Sequence, residues 1–179
     1  MKSKGELPGD TVVATVMSNL GFHVYAKENG IALECTDVGD RNVLERMVEK
    51  GYRLGGEQSG HMIFLDHATT GDGQLTALKI LALMKESGRK ASEVFGACPR
   101  YPQVLINIPV ADNDVKKANM ASPLLAQAVQ REEEALSSEG RVLVRPSGTE
   151  ALMRVMVEAK TEEQARQAGQ RLADLIGQL

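Results

Sequence analysis

A β-branched apolar run, Thr11 to Val16, and a second strand signal, Ile31 to Thr36, are each followed within a few residues by a helix start, and no other feature limits the fold as tightly. The first run suits a strand buried on both faces, and such a strand needs helices packed over it. Ser18 and Asn19 are good caps for a short first helix. Asp40 is placed to cap a second, in which Val43, Leu44, Met47 and Val48 fall on one face and Gly51 closes the end. The order strand, helix, strand, helix favours parallel strands joined by helical crossovers, so the expected fold class is α/β.

After Gly51 the rhythm changes. Tyr52-Arg53-Leu54 runs into GGEQSG, and His61 to Asp66 resumes apolar, extended sequence, which reads as a hairpin with a Gly-rich turn. Asp72 then offers an N-cap to a helix whose stripe of Leu75, Leu78, Leu81 and Ala82 asks for a core, and which ends at Gly88. Cys98-Pro99-Arg100-Tyr101-Pro102 holds two of the six prolines between periodic segments, so a domain boundary is expected there, with residues 1–98 in one domain and 99–179 in the next. Beyond it come a strand from Gln103 to Val110, one long polar helix within Asp114 to Leu136, and a strand from Arg141 to Arg145. A turn, RPSGTE, leads to a further strand from Leu152 to Glu158. The last helix opens on a capping box, Thr161 with Gln164, and turns Ala165, Ala168, Leu172, Leu175 and Ile176 inward. This second part reads as a small antiparallel α+β domain.

Composition excludes more than it assigns. With 42% hydrophobic residues over 179, the chain can bury a sizeable core. A net charge of −3 gives no general attraction to nucleic acid or to an anionic membrane, so neither is expected as a partner. Cys35 and Cys98 lie far apart without metal-ligand spacing, which suits free thiols in a reducing cytoplasm. The charged opening MKSKGELPGD and the short apolar run after it have neither the length of a membrane span nor a cleavage pattern for export. That opening also lacks a leading strand or helix, so a truncated domain is expected.

Two loops carry chemistry. In Gly55-Gly56-Glu57-Gln58-Ser59-Gly60-His61, glycines allow a tight turn that presents Glu57, Ser59 and His61. A carboxylate and a hydroxyl two residues apart on extended chain point the same way and can bind adjacent hydroxyls of a sugar. An ordinary polar hairpin turn has the same composition, and at this level both readings stay open. The second loop is Arg145-Pro146-Ser147-Gly148-Thr149-Glu150, with Arg154 on the following strand. An Arg fork, two hydroxyls and amides freed by Gly148 are what a phosphate dianion needs, because each oxygen requires donors and the charge requires a counterion. A Ser/Gly turn flanked by solvated arginines is again the plain alternative. A sugar phosphate would use both loops.

In that order and at that separation, GGEQSGH and RPSGTE resemble the sugar-binding loop of the third domain and the phosphate-binding loop of the fourth domain of the α-D-phosphohexomutases. TVMSNLG, VGDRNVLE, TTGDG and RVMVEA are similar to the phosphoglucosamine mutase branch of that family. The resemblance implies an incomplete three-layer α/β/α domain followed by a TATA-binding-protein-like domain. It implies that Glu57 and Ser59 hold sugar hydroxyls and that His61 lies near the reacting phosphoryl group, where it assists proton transfer. Arg145, Ser147, Gly148 and Thr149 would grip the phosphate that is not reacting. The Val38-Gly39-Asp40-Arg41 turn corresponds to a loop that discriminates sugars, and Asp40 would face a 2-amino group unless it simply caps its helix. The family commonly has proline where Ala151 stands, which changes loop stiffness and no donor.

The resemblance further implies a hexosamine phosphate substrate and a product that feeds UDP-N-acetylglucosamine and peptidoglycan synthesis. The family's serine motif, S/T-A-S-H-N-P, and metal loop, D-x-D-G-D-R, are absent from these 179 residues. VGDR and the GDG at Gly71 to Gly73 supply too few carboxylates for magnesium. The expectation is therefore that magnesium and the phosphorylated serine belong to N-terminal domains with which this part works, that no metal binds this chain, and that the chain alone does not turn over substrate. The competing expectations are a phosphomannomutase or phosphoglucomutase of the same superfamily, and a non-catalytic sugar-phosphate-binding module.

Overall fold

A computed structural model describes all 179 residues and divides them into two compact units, Met1–Arg100 and Tyr101–Leu179. In the first, the Thr11 run forms β1 (Thr11–Thr15), and all five of its residues are buried. It occupies the interior of a four-stranded sheet in the order β2-β1-β3-β4, where β2 is Ala32–Thr36, β3 is Leu54–Gly56 and β4 is Met62–Phe64. Strands β2 and β3 flank β1 in parallel, with Thr11 opposite Ala32 and Val13 opposite Gly55, and β4 closes the edge antiparallel to β3.

Helix α1 (Leu20–Glu28) crosses from β1 to β2 and starts where the Asn19 side chain accepts the Gly21 N–H. Helix α2 (Asp40–Lys50) crosses from β2 to β3 and stops at Gly51, whose φ of 72° is the left-handed conformation glycine tolerates. Val43 and Met47 of α2 pack with Val13 and Ile63 in the centre of this unit. Val48 does not join them, being 62% exposed. One residue beyond Met47 turns about 100° around the helix, so the core takes the i, i+4 pair and leaves the flank in solvent.

Helix α3 (Gly73–Ser87) is opened as its sequence dictates, with Asp72 Oδ1 accepting the Leu75 N–H at 2.9 Å. Its expected inward stripe is not inward: Leu78, Leu81 and Ala82 are exposed, Leu75 is half-buried and no residue of the helix is fully buried. Periodicity records a face suited to being covered; in this chain the face is open. A short helix, α4 (Ala91–Phe95), follows. Both cysteines are free thiols, and no helix is long and apolar enough to cross a membrane.

In the second unit, β5 (Gln103–Pro109), β6 (Arg141–Pro146) and β7 (Leu152–Glu158) form an antiparallel sheet in the order β5-β7-β6. The polar stretch expected as one helix is two, α5 (Asn113–Ala121) and α6 (Pro123–Leu136). Pro123 has no N–H to continue the ladder and its ring biases Ser122 out of the helical region, so the chain restarts there with the Ser122 side chain accepting from Leu125. The final helix, α7 (Glu162–Ile176), carries the Thr161/Gln164 capping box, and its Ala165, Ala168, Leu172 and Ile176 join Val155 and Val157 of β7 in the core.

Candidate functional site

In the first unit the hairpin between β3 and β4 is locked by its own backbone. The Glu57 N–H donates to His61 O at 2.9 Å and the Gly60 N–H to Glu57 O at 3.0 Å, with Gly60 at a φ of 98° that favours glycine. Ser59 and His61 are exposed at this tip, while Glu57 turns back and is half-buried. Its carboxylate accepts the Gly39 N–H at 2.8 Å, which ties the hairpin to the N-terminus of α2. Gly39, at a φ of 128°, is the residue that caps α2, and no side chain does so. Asp40 is thus the first helical residue rather than the cap its sequence position suggested. Its carboxylate is released to the hairpin, where Asp40 Oδ1 lies 3.3 Å from His61 Nδ1.

The consequence is electrostatic. Burial pushes the Glu57 carboxyl above the ordinary glutamate value, and a hydrogen bond with Asp40, which needs a shared proton, adds to the rise. The Gly39 N–H pulls it back, the Asp40 charge raises it further, and His61 offsets part of that. Ligand atoms of Asp40, Glu57 and His61 lie within 4.8 Å of one another. The VGDR motif offers one carboxylate, and the fold brings it to the Glu57 carboxylate and the His61 imidazole of the hairpin. Two carboxylates and an imidazole do not suit magnesium, which takes oxygen in octahedral geometry, and Asp72, the acid of the GDG echo, is engaged as a helix cap. Such a trio can hold a proton between its members and present acceptors to an amine or hydroxyl. Of Val38, Gly39 and Asp40, the first is exposed, the second donates its N–H to Glu57 and only the third belongs to the trio.

The second loop, in the other unit, joins β6 to β7. The Ser147 N–H donates to Leu152 O at 2.9 Å and the Ser147 Oγ accepts the Glu150 N–H at 3.2 Å, so this serine is buried inside the turn it shapes. Gly148 and Thr149 stand outermost, and neither of their N–H groups is used by the loop's own hydrogen bonds. A side chain at Gly148 would meet nothing within 4 Å. Arg145 is directly opposite Arg154 across the β6–β7 ladder, which places two guanidinium stems on one sheet face. Arg154 donates to Glu150 at 2.6 Å through one nitrogen, while its Nε is buried without a partner. The loop thus offers two free amides and two arginines, a donor set for an anion.

One residue here carried no sequence signal. Lys116, on the polar face of α5, reaches under the loop, with its Nζ donating to Ser147 O at 2.9 Å and also to Glu150 O. Asp112, Asn113 and Lys116 line a shallow cavity of about 270 Å³ with Gly148 to Ala151.

Comparison with known proteins places both units in one family. The family model for phosphoglucomutase/phosphomannomutase, alpha/beta/alpha domain III, matches residues 1–101, and that for the C-terminal domain of the same family matches residues 105–175. The chain therefore belongs to the phosphoglucomutase/phosphomannomutase family. Among curated relatives, the phosphoglucosamine mutase of Thermoanaerobacter sp. (strain X514) is 53% identical over 98% of this chain, and that of Pelotomaculum thermopropionicum is 52% identical over all of it. The chain spans 39% of the first relative's length and 40% of the second's. Among solved structures, the Aspergillus fumigatus N-acetylphosphoglucosamine mutase matches 94% of this chain, and 38% of its own, with a TM-score of 0.81 at 20% identity, a likeness of fold.

Proposed function

We propose that this chain is the sugar- and phosphate-recognising part of a phosphoglucosamine mutase, an isomerase that interconverts glucosamine 6-phosphate and glucosamine 1-phosphate. The observation that supports this most directly is the pairing of two intact loops, GGEQSGH on a hairpin and RPSGTE between antiparallel strands, in a chain 53% identical to a phosphoglucosamine mutase. Glu57 and Ser59 accept from and donate to ring hydroxyls. Asp40, whose carboxylate is free of any capping duty, takes the 2-amino group. His61, with its Nδ1 3.3 Å from Asp40 Oδ1, holds or releases a proton beside the phosphoryl group in transit. Arg145, Arg154 and the amides of Gly148 and Thr149 bind the phosphate that is not reacting, with Ser147 shaping the turn. None of these residues is a phosphoryl acceptor. The nucleophilic serine and the magnesium site belong to N-terminal domains of the longer protein, and this chain by itself catalyses no isomerisation.

The test is an assay of the longer protein, these residues joined to the domains that precede them, with glucosamine 6-phosphate, glucose 6-phosphate and mannose 6-phosphate. Glucosamine 6-phosphate is expected to have the highest kcat/KM, and Glu57→Gln to lower it at least tenfold, as loss of a buried charged acceptor does. A preference for mannose or glucose phosphate would reassign the chain to a phosphomannomutase or phosphoglucomutase. Turnover by the 179 residues alone would overturn the division of labour.

A further inference from the structure

We propose that Lys116 is a positioning residue for the anion-binding loop, turning the Gly148 amide outward by holding the Ser147 carbonyl from behind. This rests on the reading of that loop as a phosphate site, and it concerns a residue on a different element, α5. Lys116 is only 6% exposed, and a lysine is rarely so buried without a fixed partner. Its partners are two backbone carbonyls, those of Ser147 and Glu150, at the two ends of the turn.

Peptide geometry supplies the consequence. In a planar trans peptide the C=O of one residue and the N–H of the next point in opposite directions. Drawing Ser147 O toward the Lys116 ammonium therefore aims the Gly148 N–H the other way, away from the lysine. Drawing Glu150 O to the same ammonium fixes the peptide that follows Glu150, and that carbonyl also accepts the Leu152 N–H at 2.9 Å. A cation on a carbonyl also polarises its peptide, which makes the opposed N–H a stronger donor. Lys116 thus acts on an anion through the backbone, from the protected side of the loop. A flexible Gly-containing turn would otherwise have to order itself on binding, at an entropic cost that the lysine removes in advance.

The experiment follows the backbone amide resonances of the chain with and without inorganic phosphate, comparing the unsubstituted chain with Lys116→Met, which keeps the length and apolar stem but no donor. Lys116→Met is expected to keep the β7 core amides of Val155 and Val157 protected from exchange, to shift the Gly148 amide resonance before any phosphate is added, and to weaken phosphate binding about ten- to hundredfold, the loss expected for a charge-assisted hydrogen bond. An unmoved Gly148 amide and unchanged phosphate affinity in Lys116→Met would overturn the proposal. Failure of the unsubstituted chain to bind phosphate would instead strike the reading of the loop, because the Gly148 amide is read without ligand. Should Lys116→Met not fold, the lysine ammonium resonances of the unsubstituted chain decide. Slow exchange of the Lys116 ammonium, with hydrogen-bond couplings to the Ser147 and Glu150 carbonyl carbons, supports the role; exchange as fast as that of the neighbouring solvent-exposed Lys117 refutes it.

Discussion

Glu57 is pulled in opposite directions by its neighbours, and the balance has a measurable sign. Its folded-state pKa is raised, so its protonated form is favoured by folding. The stability this gives is fully present below the unfolded value of about 4.3 and is lost as pH rises through the raised folded value. At neutral pH the ionised carboxylate is held by the Gly39 N–H against burial and against Asp40. Glu57→Gln keeps an oxygen for that N–H and removes the charge, so thermal melts are expected to show no loss at pH 7 beyond about 0.5 kcal/mol and a flatter dependence between about pH 4 and 7. A second prediction concerns Gly55, where an added Cβ would lie 2.5 Å from Met47 Sδ and 2.8 Å from Val43 Cγ1. Gly55→Ala should destabilise the first unit by about 1–3 kcal/mol in denaturant unfolding, the usual cost of overpacking a filled core. The identities of Glu57, Ser59, His61 and Arg145 could be read from motif composition. The Asp40–His61 contact could not, because it exists only once the hairpin folds against the start of α2, and that geometry depends on Gly39 taking a conformation no local propensity demands. Lys116 was illegible for a similar reason: a lysine beside a lysine in a polar helix is usually solvated, and its burial is set by a loop thirty-one residues away in sequence.

At the scale of elements, most caps were legible, Asp40 being the exception, and interruptions were not. Asn19, Asp72, Thr161 with Gln164, Gly51 and Gly88 each act through hydrogen bonds or dihedrals within a few residues, so their sequence signals need no tertiary context. The division of α5 from α6 was hidden because the polar periodicity runs on through Ser122 and Pro123. Ser122 closes one helix and opens the other, so Ser122→Ala should cost about 1 kcal/mol in thermal or denaturant unfolding, with no change in β-sheet content. Helix α2 offers a sharper contrast. Met47→Ala empties a fully buried site and should cost about 2–5 kcal/mol, whereas Val48→Ala on the exposed flank should stay within about 0.5 kcal/mol, both measured by chemical denaturation. The stripe of α3 is the opposite lesson, a periodic apolar face that remains in solvent, since hydrophobic spacing tells which side of a helix wants cover and not what supplies it.

For the molecule as a whole, the proposed function divides recognition between the two units by chemistry. The first presents acceptors and an imidazole on a rigid hairpin, suited to hydroxyls and an amine. The second presents amides and guanidinium groups on a short turn, suited to a dianion. The fold class was legible because β1 announces itself as a β-branched run and a strand-helix alternation follows it, and the α+β character of the second unit because β6 and β7 are joined by a turn too short for a helical crossover. The central claim is that the hairpin reads sugar and the turn reads phosphate. The most direct test titrates the 179-residue chain with glucosamine, inorganic phosphate and glucosamine 6-phosphate while the amide resonances are recorded. Glucosamine is expected to move only residues around Glu57 to His61, inorganic phosphate only those around Arg145 to Thr149, and glucosamine 6-phosphate both sets. Saturable binding of glucosamine 6-phosphate that leaves either set unmoved would contradict the account.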